Sequence, residues 1–143
     1  MGFARIIEFT GNHPVLVLAF LGTLAALVFT EISRRASGLK SVGPVEATQL
    51  SNRENAVFLD IRDDGEYKGG HIPEAIHIPL KQLPERAAEL DKFKNVPLIA
   101  YCRSGTRTGG VGGILKKHGF ENVYNLSGGI TAWQSANLPV STK

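Results

Sequence analysis

Pro97-Leu98-Ile99-Ala100-Tyr101-Cys102-Arg103-Ser104-Gly105-Thr106-Arg107-Thr108 runs from an apolar segment into a polar loop and on toward a helix. Residues 97–101 have the make-up of a buried strand, and Thr108 through His118 reads as a helix closed by Gly119. This order sets the only cysteine of the chain over a helix N-terminus, where unpaired N–H groups and the macrodipole favour an anion. A thiolate is such an anion. An isolated cysteine is most often an inert part of a core, but the neighbours of Cys102 point elsewhere. Gly105 lets the backbone curl into an anion-binding nest, and Arg103 and Arg107 add fixed positive charge. Such surroundings favour thiolate over thiol and make Cys102 a candidate nucleophile.

Outward from this loop, apolar runs alternate with helical patterns. Lys40 to Val42, Ala56 to Ile61, Ala75 to Ile78, Leu98 to Tyr101 and Val123 to Leu126 read as strands. Pro44 to Ser51 reads as a helix opened by proline, and Leu83 to Leu90 as an amphipathic helix. The alternation predicts an α/β fold, a parallel sheet with helices on both faces, and ligands beyond the carboxyl ends of its strands, where Cys102 falls. Glycines 109, 110, 112 and 113 are not followed by Gly-Lys-Ser/Thr, so no phosphate loop is expected; they should let the helix pack close to the sheet.

The N-terminal region is of another kind. From Phe9 to Thr30 there is no Asp, Glu, Lys or Arg. Asn12 can cap and Pro14 can occupy the first turn of a helix to about Arg34, roughly 30 Å long and matched to a bilayer core. The expected organisation is an N-terminal tail over 1–13, a transmembrane helix over 14–33, a short basic tether over 34–39 and a soluble domain over 40–143. The positive charge lies mainly after the apolar run, at Arg34, Arg35 and Lys40. That argues against a cleaved signal peptide and places the C-terminal domain on the cytoplasmic side. A single cysteine, which allows no intramolecular disulfide, fits a reducing compartment. Gly22 and Ala26 form a small-xxx-small pair, a candidate for weak self-association in the bilayer. Residues 1–40 hold four basic and two acidic side chains, and the other 103 hold twelve against eleven, which leaves no footprint for nucleic acid.

Asp60-Ile61-Arg62, Glu66-Tyr67, Gly70-His71-Ile72-Pro73, Ile76-His77-Ile78-Pro79, the Cys102–Arg107 loop and Leu126-Ser127-Gly128-Gly129-Ile130-Thr131-Ala132-Trp133 occur in one order across residues 42–139. In that order they resemble the motifs of a single-domain rhodanese. Gly11-Asn12-His13-Pro14 before an apolar span further resembles the bacterial YibN-like membrane-anchored rhodaneses. The resemblance implies a rhodanese-like five-stranded parallel sheet, a persulfide carried on Cys102, and a single-pass protein of the cell inner membrane. It also implies sulfur transfer from thiosulfate or a persulfide to a thiol or cyanide, with no metal or organic cofactor. N–H groups of Arg103, Ser104, Gly105, Thr106 and Arg107 would stabilise the anionic persulfide. Arg103 would meet an anionic donor outside the loop, and Arg107 would brace the loop or a bound oxyanion.

Asp60, Arg62 and His71 are expected to support the site, Asp60 through a salt bridge or turn with Arg62 and His71 by bonding a neighbouring loop. His71 and His77 suit no metal-ligand spacing. Trp133 is expected to pack against the last strand. Glu74 stands where many relatives have glycine and His77 where asparagine is usual, so the turn before that strand should differ. Two other classes compete. Cys-dependent phosphatases and arsenate reductases of related fold use Cys-x5-Arg around a tetrahedral oxyanion, whereas the spacing here is Cys-x4-Arg, a tighter cradle suited to sulfur. A membrane-tethered binding module without turnover would not need the intact cysteine loop.

Overall fold

Val57-Phe58-Leu59-Asp60 and Leu98-Ile99-Ala100-Tyr101 carry apolar side chains at successive positions, so both faces of each strand need cover. In a computed structural model, which describes residues 2–36 and 39–143, these strands lie side by side in the middle of a five-stranded parallel sheet. The strands are β1 (Lys40–Val42), β2 (Val57–Asp60), β3 (Ile76–His77), β4 (Leu98–Tyr101) and β5 (Val123–Leu126), in the spatial order β1-β5-β4-β2-β3. The chain divides into two compact units, Met1–Ala36 and Ser37–Lys143.

The two faces of the sheet bury separate cores. Leu98, Ala100 and Cys102 point to one, with Leu83, Ala87, Leu90, Val111 and Leu115. Ile99 and Tyr101 point to the other, with Ala47, Leu126, Ile130 and Trp133. The first core is covered by α5 (Leu83–Arg86), a 3-10 helix over Ala87–Phe93 and α6 (Gly109–Lys117); the second by α3 (Pro44–Glu54) and α7 (Gly129–Ser135).

Some elements differ from expectation. The helix foreseen over Leu83 to Leu90 is α-helical for only four residues and then tightens into the 3-10 form. Two short helices were not foreseen, α4 (Asp64–Lys68) and α7, because five and seven residues are too few to show a helical period. α4 is held by a capping box, in which the Asp63 side chain meets the N3 backbone and Glu66 reaches back to Asp63 N–H. The glycines of α6 do not all bring it against the sheet: Gly112 is buried, but Gly109, Gly110 and Gly113 face open space.

In the N-terminal unit, Gly2–Asn12 forms a helix, α1, where a tail was expected, and Asn12 ends it instead of capping the next. The following helix, α2, runs from Pro14 to Ala36, starting where expected and ending two residues beyond Arg34. Its stretch Pro14–Ile32 is 19 residues of high mean hydropathy with none of it buried, long enough to cross a bilayer. Thr23 and Thr30 donate their hydroxyls back to the carbonyls of Ala19 and Leu27 at 2.8 Å, so neither presents an unmet donor to an apolar surrounding. Residues 37 and 38 of the expected tether lie outside the described residues.

In the turn before β3, Glu74 adopts the left-handed region at φ 63°. A side chain there costs about 1 kcal/mol that glycine does not. Glu74→Gly is therefore expected to leave stability within about 0.5 kcal/mol of the parent, strain relief offsetting the freer unfolded chain. Glu74→Ile should lower it by about 1–2 kcal/mol, because a branched Cβ fits that region worst. Urea denaturation checks both.

Candidate functional site

β4 ends at Tyr101, and Cys102 is the first residue past it, still buried against the core under α6. The loop that follows is pinned from behind. The carbonyl of Cys102 accepts the N–H of Ile130 at 3.0 Å, and that of Arg103 accepts the N–H of Thr131 at 3.2 Å and its hydroxyl at 2.9 Å. The first turn of α7 thus takes up the first two carbonyls of the loop. This approach requires Gly129, at φ 58°, because a methyl group there would stand 2.6 Å from the carbonyl carbon of Arg103 and collide with Cys102 O.

With these two carbonyls turned away, the loop offers an N–H to the sulfur. Gly105 N–H donates to Cys102 Sγ at 3.0 Å, which Gly105 reaches at φ 87°, in the left-handed region. Of the five loop residues expected to face the sulfur, Gly105 supplies this bond. Arg103, Ser104 and Thr106 are exposed, with Ser104 Oγ 3.3 Å from Thr106 Oγ1.

Arg107 is engaged by a partner that sequence reading had not assigned. Its Nη1 and Nη2 donate to the two carboxylate oxygens of Glu66 at 2.9 and 2.8 Å, a bidentate pair between α4 and the loop. Hydrogen bonding to Glu66 raises the Arg107 pKa above its ordinary value, and the nearby Cys102 sulfur adds a smaller push. The bond from Arg107 in turn holds the Glu66 carboxyl below its usual range. Glu66 had been quoted only as part of a motif, and no local signal could have paired residues 41 apart.

Asp60, Arg62 and His71 form a second cluster. Arg62 Nε and Nη2 contact the Asp60 carboxylate, the shortest at 2.6 Å, and Nη2 also donates to Gly70 O at 2.7 Å. Burial works against the Arg62 charge, but the bond to Asp60 and its charge more than offset that and the net shift is upward. Asp60 lies beside Tyr101 in the sheet register. Burial, reinforced by Asp60, pushes the Tyr101 phenol far above its ordinary range, and its oxygen accepts Ile72 N–H at 3.1 Å. His71 Nδ1 meets Tyr67 O at 3.0 Å, and its backbone pairs with Ser141. His77 Nε2 meets Arg62 O at 2.8 Å. The Tyr67 ring lies stacked between the two imidazoles, 3.9 Å from His71 and 4.2 Å from His77. These bonds run among the segments 60–62 and 67–71 and to Ser141, as braces. Trp133 packs edge-on to Phe58 of β2 at 5.2 Å, while its indole N–H meets Pro139 O.

A parallel sheet of this order with a cysteine-headed loop at the end of its central strand defines a class, and comparison with known proteins gives it a name. Residues 43–136 match the rhodanese-like domain. The chain belongs to the rhodanese-like sulfurtransferase family. Over 137 residues it is 34% identical to the uncharacterized protein YibN of Escherichia coli (strain K12), covering 95% of this chain and 96% of that one. Over 102 residues it is 34% identical to the thiosulfate sulfurtransferase GlpE of Coxiella burnetii, covering 71% of this chain and 92% of that one. Its fold is that of a rhodanese-related protein from Thermoplasma volcanium, with a TM-score of 0.65 at 24% identity over 73% of this chain and 99% of that one.

The Glu66–Arg107 pair gives the loop a pH dependence of known sign. A carboxyl whose pKa is lowered on folding contributes stability that is present above its unfolded value and lost as pH falls through the folded one. Urea midpoints of the parent are therefore expected to drop on acidification from about pH 5 to about pH 3, and those of Glu66→Gln to drop less over that window. Equal slopes would show that the pair does not couple to stability.

Proposed function

We propose that this chain is a membrane-anchored sulfurtransferase that moves sulfane sulfur from thiosulfate or a persulfide to a thiol, or to cyanide, through a persulfide on Cys102. The observation that carries the reading is the Gly105 N–H at 3.0 Å from Sγ, in a loop whose first two carbonyls, those of Cys102 and Arg103, are bound by α7. A donor aimed at that sulfur suits an anion, first the thiolate and then the persulfide. The thiolate attacks the outer sulfur of thiosulfate; the S–S bond breaks and its electron pair leaves with sulfite. A second thiolate then attacks the outer sulfur of the persulfide, breaking the bond to Sγ and restoring the thiolate. Cys102 is buried, and the exposed Arg103, Ser104 and Thr106 lie on the solvent side from which a donor would approach it. Arg103 is exposed at the surface, where it can meet an anionic donor, and Arg107, bound to Glu66 through Nη1 and Nη2, braces the loop.

The apolar residues 14–33 serve in this reading as a single-pass anchor in the cell inner membrane, with 1–13 before it, 34–39 as a basic tether and 40–143 as the rhodanese-like domain on the cytoplasmic side. The unburied apolar helix and the self-bonded threonines support the anchor. The engagement of Arg107 by Glu66 counts against the phosphatase reading, since the charge of the guanidinium and the donors at both of its Nη atoms are already committed to a carboxylate.

Incubation with thiosulfate is expected to add the mass of one sulfur atom to the protein, and Cys102→Ser to abolish both the adduct and the transfer of sulfur to cyanide. A Ser variant that kept turnover would overturn the mechanism; hydrolysis of an aryl phosphate without a sulfur adduct would favour the phosphatase. In intact cells, a membrane-impermeant thiol reagent is expected to leave Cys102 unmodified until the membrane is opened. Ready labelling would reverse the orientation.

A further inference from the structure

Behind the loop, Thr108 faces more acceptors than it can serve. Its Oγ1 lies 3.0 Å from the Gly105 carbonyl and 2.7 Å from Asn125 Oδ1, and a hydroxyl has one proton to give. On the far side of the same amide, Asn125 Nδ2 lies 3.3 Å from Ser41 Oγ. Turning the Asn125 amide end for end resolves the conflict. Nδ2 then donates to Thr108 Oγ1, the Thr108 hydroxyl donates to Gly105 O, and the Ser41 hydroxyl donates to Oδ1. Each of the three contacts now has one donor and one acceptor.

The sheet holds this arrangement in place. Asn125 lies between Ser41 of β1 and Ala100 of β4 in the strand register, two residues before Cys102 along β4. Thr108 is buried, which makes an unmet hydroxyl there costly. Gly105, at the other end, carries the N–H that meets Sγ. We infer that Asn125 is a positioning residue for Cys102: acting through Thr108, it holds Gly105 in the left-handed conformation that aims its N–H at the sulfur. The inference rests on Cys102 being the reactive thiol of the proposed function. Neither Asn125 nor Thr108 touches the sulfur in this arrangement.

Alkylation of the full-length protein in detergent with iodoacetamide, across pH, reads the thiol directly because Cys102 is the only cysteine. Thr108→Val keeps the shape and removes the hydroxyl. It is expected to slow alkylation at neutral pH about three- to tenfold and to recover the parent rate at high pH. Thr108→Ser should retain the parent profile. Asn125→Leu is expected to slow alkylation about threefold on its own and to add nothing on top of Thr108→Val, the mark of one residue acting through another. Thermal unfolding of each variant, within a few degrees of the parent, confirms that the fold is kept; should Asn125→Leu not fold, the Thr108 pair decides. An unchanged profile in Thr108→Val, a Thr108→Ser profile displaced as far as that of valine, or additive effects of Asn125→Leu would each overturn the inference. Displaced profiles in a protein that takes sulfur neither from thiosulfate nor from a persulfide would overturn the sulfurtransferase reading and leave the positioning of the thiol by Asn125 standing.

Discussion

The close approach of the Gly128-Gly129 turn to the start of the cysteine loop is the contact on which the site depends. Backbone after a strand must find partners for its carbonyls as well as its N–H groups. Here the carbonyls of Cys102 and Arg103 find theirs in the first turn of α7. Because those oxygens point toward α7, the loop can present an N–H to the sulfur. A bulkier residue at 129 would separate the two segments, and the loop carbonyls would have to turn elsewhere. The glycine is thus tied to the chemistry of Cys102 although it makes no contact with the sulfur.

Much of the sheet was legible because buried parallel strands advertise themselves as short apolar runs. Leu98 to Tyr101 and Val123 to Leu126 begin and end where the sequence indicates. The loop was legible from composition, since a cysteine, a glycine and two arginines in six positions are hard to read as core. What stayed hidden was of two kinds. α4 and α7 are too short for periodicity, although the Asp63-x-x-Glu66 capping box of α4 is a local signal for its start. The other kind is pairing over distance: Glu66 with Arg107, Asn125 with Thr108 and Ser41, and Tyr67 between two histidines arise only once the strands have been set in order. Gly109, Gly110 and Gly113 show the opposite error, a pattern that invited a packing role where the structure leaves open space.

The N-terminal unit obeys a different rule. Its apolar helix was evident from the absence of charge, yet the helix before it was not, because α1 is short and mixed in composition. Once folded, α1 sets Phe3, Ile6, Ile7 and Thr10 at helical spacing, with Arg5, Glu8 and Asn12 on the opposite side. Thr10 joins the apolar side because its hydroxyl lies against the carbonyls of Ile6 and Ile7 at 2.9 and 2.8 Å. Threonine in these helices behaves as an apolar residue with its hydrogen bond already made.

The stacked rings of His71, Tyr67 and His77 bear on how the loop responds to its medium. Ring stacking is a contact of shape and dispersion, little affected by salt, whereas the neighbouring ion pair of Glu66 weakens with ionic strength and vanishes when the carboxyl is protonated. Tyr67 is the next residue to Glu66, so the stack keeps the backbone of Glu66 in place after its charge has gone. The latch between α4 and the loop can therefore open without losing its seat. Reclosing needs only the return of a proton to solvent and a turn of the arginine side chain, far faster than refolding a segment.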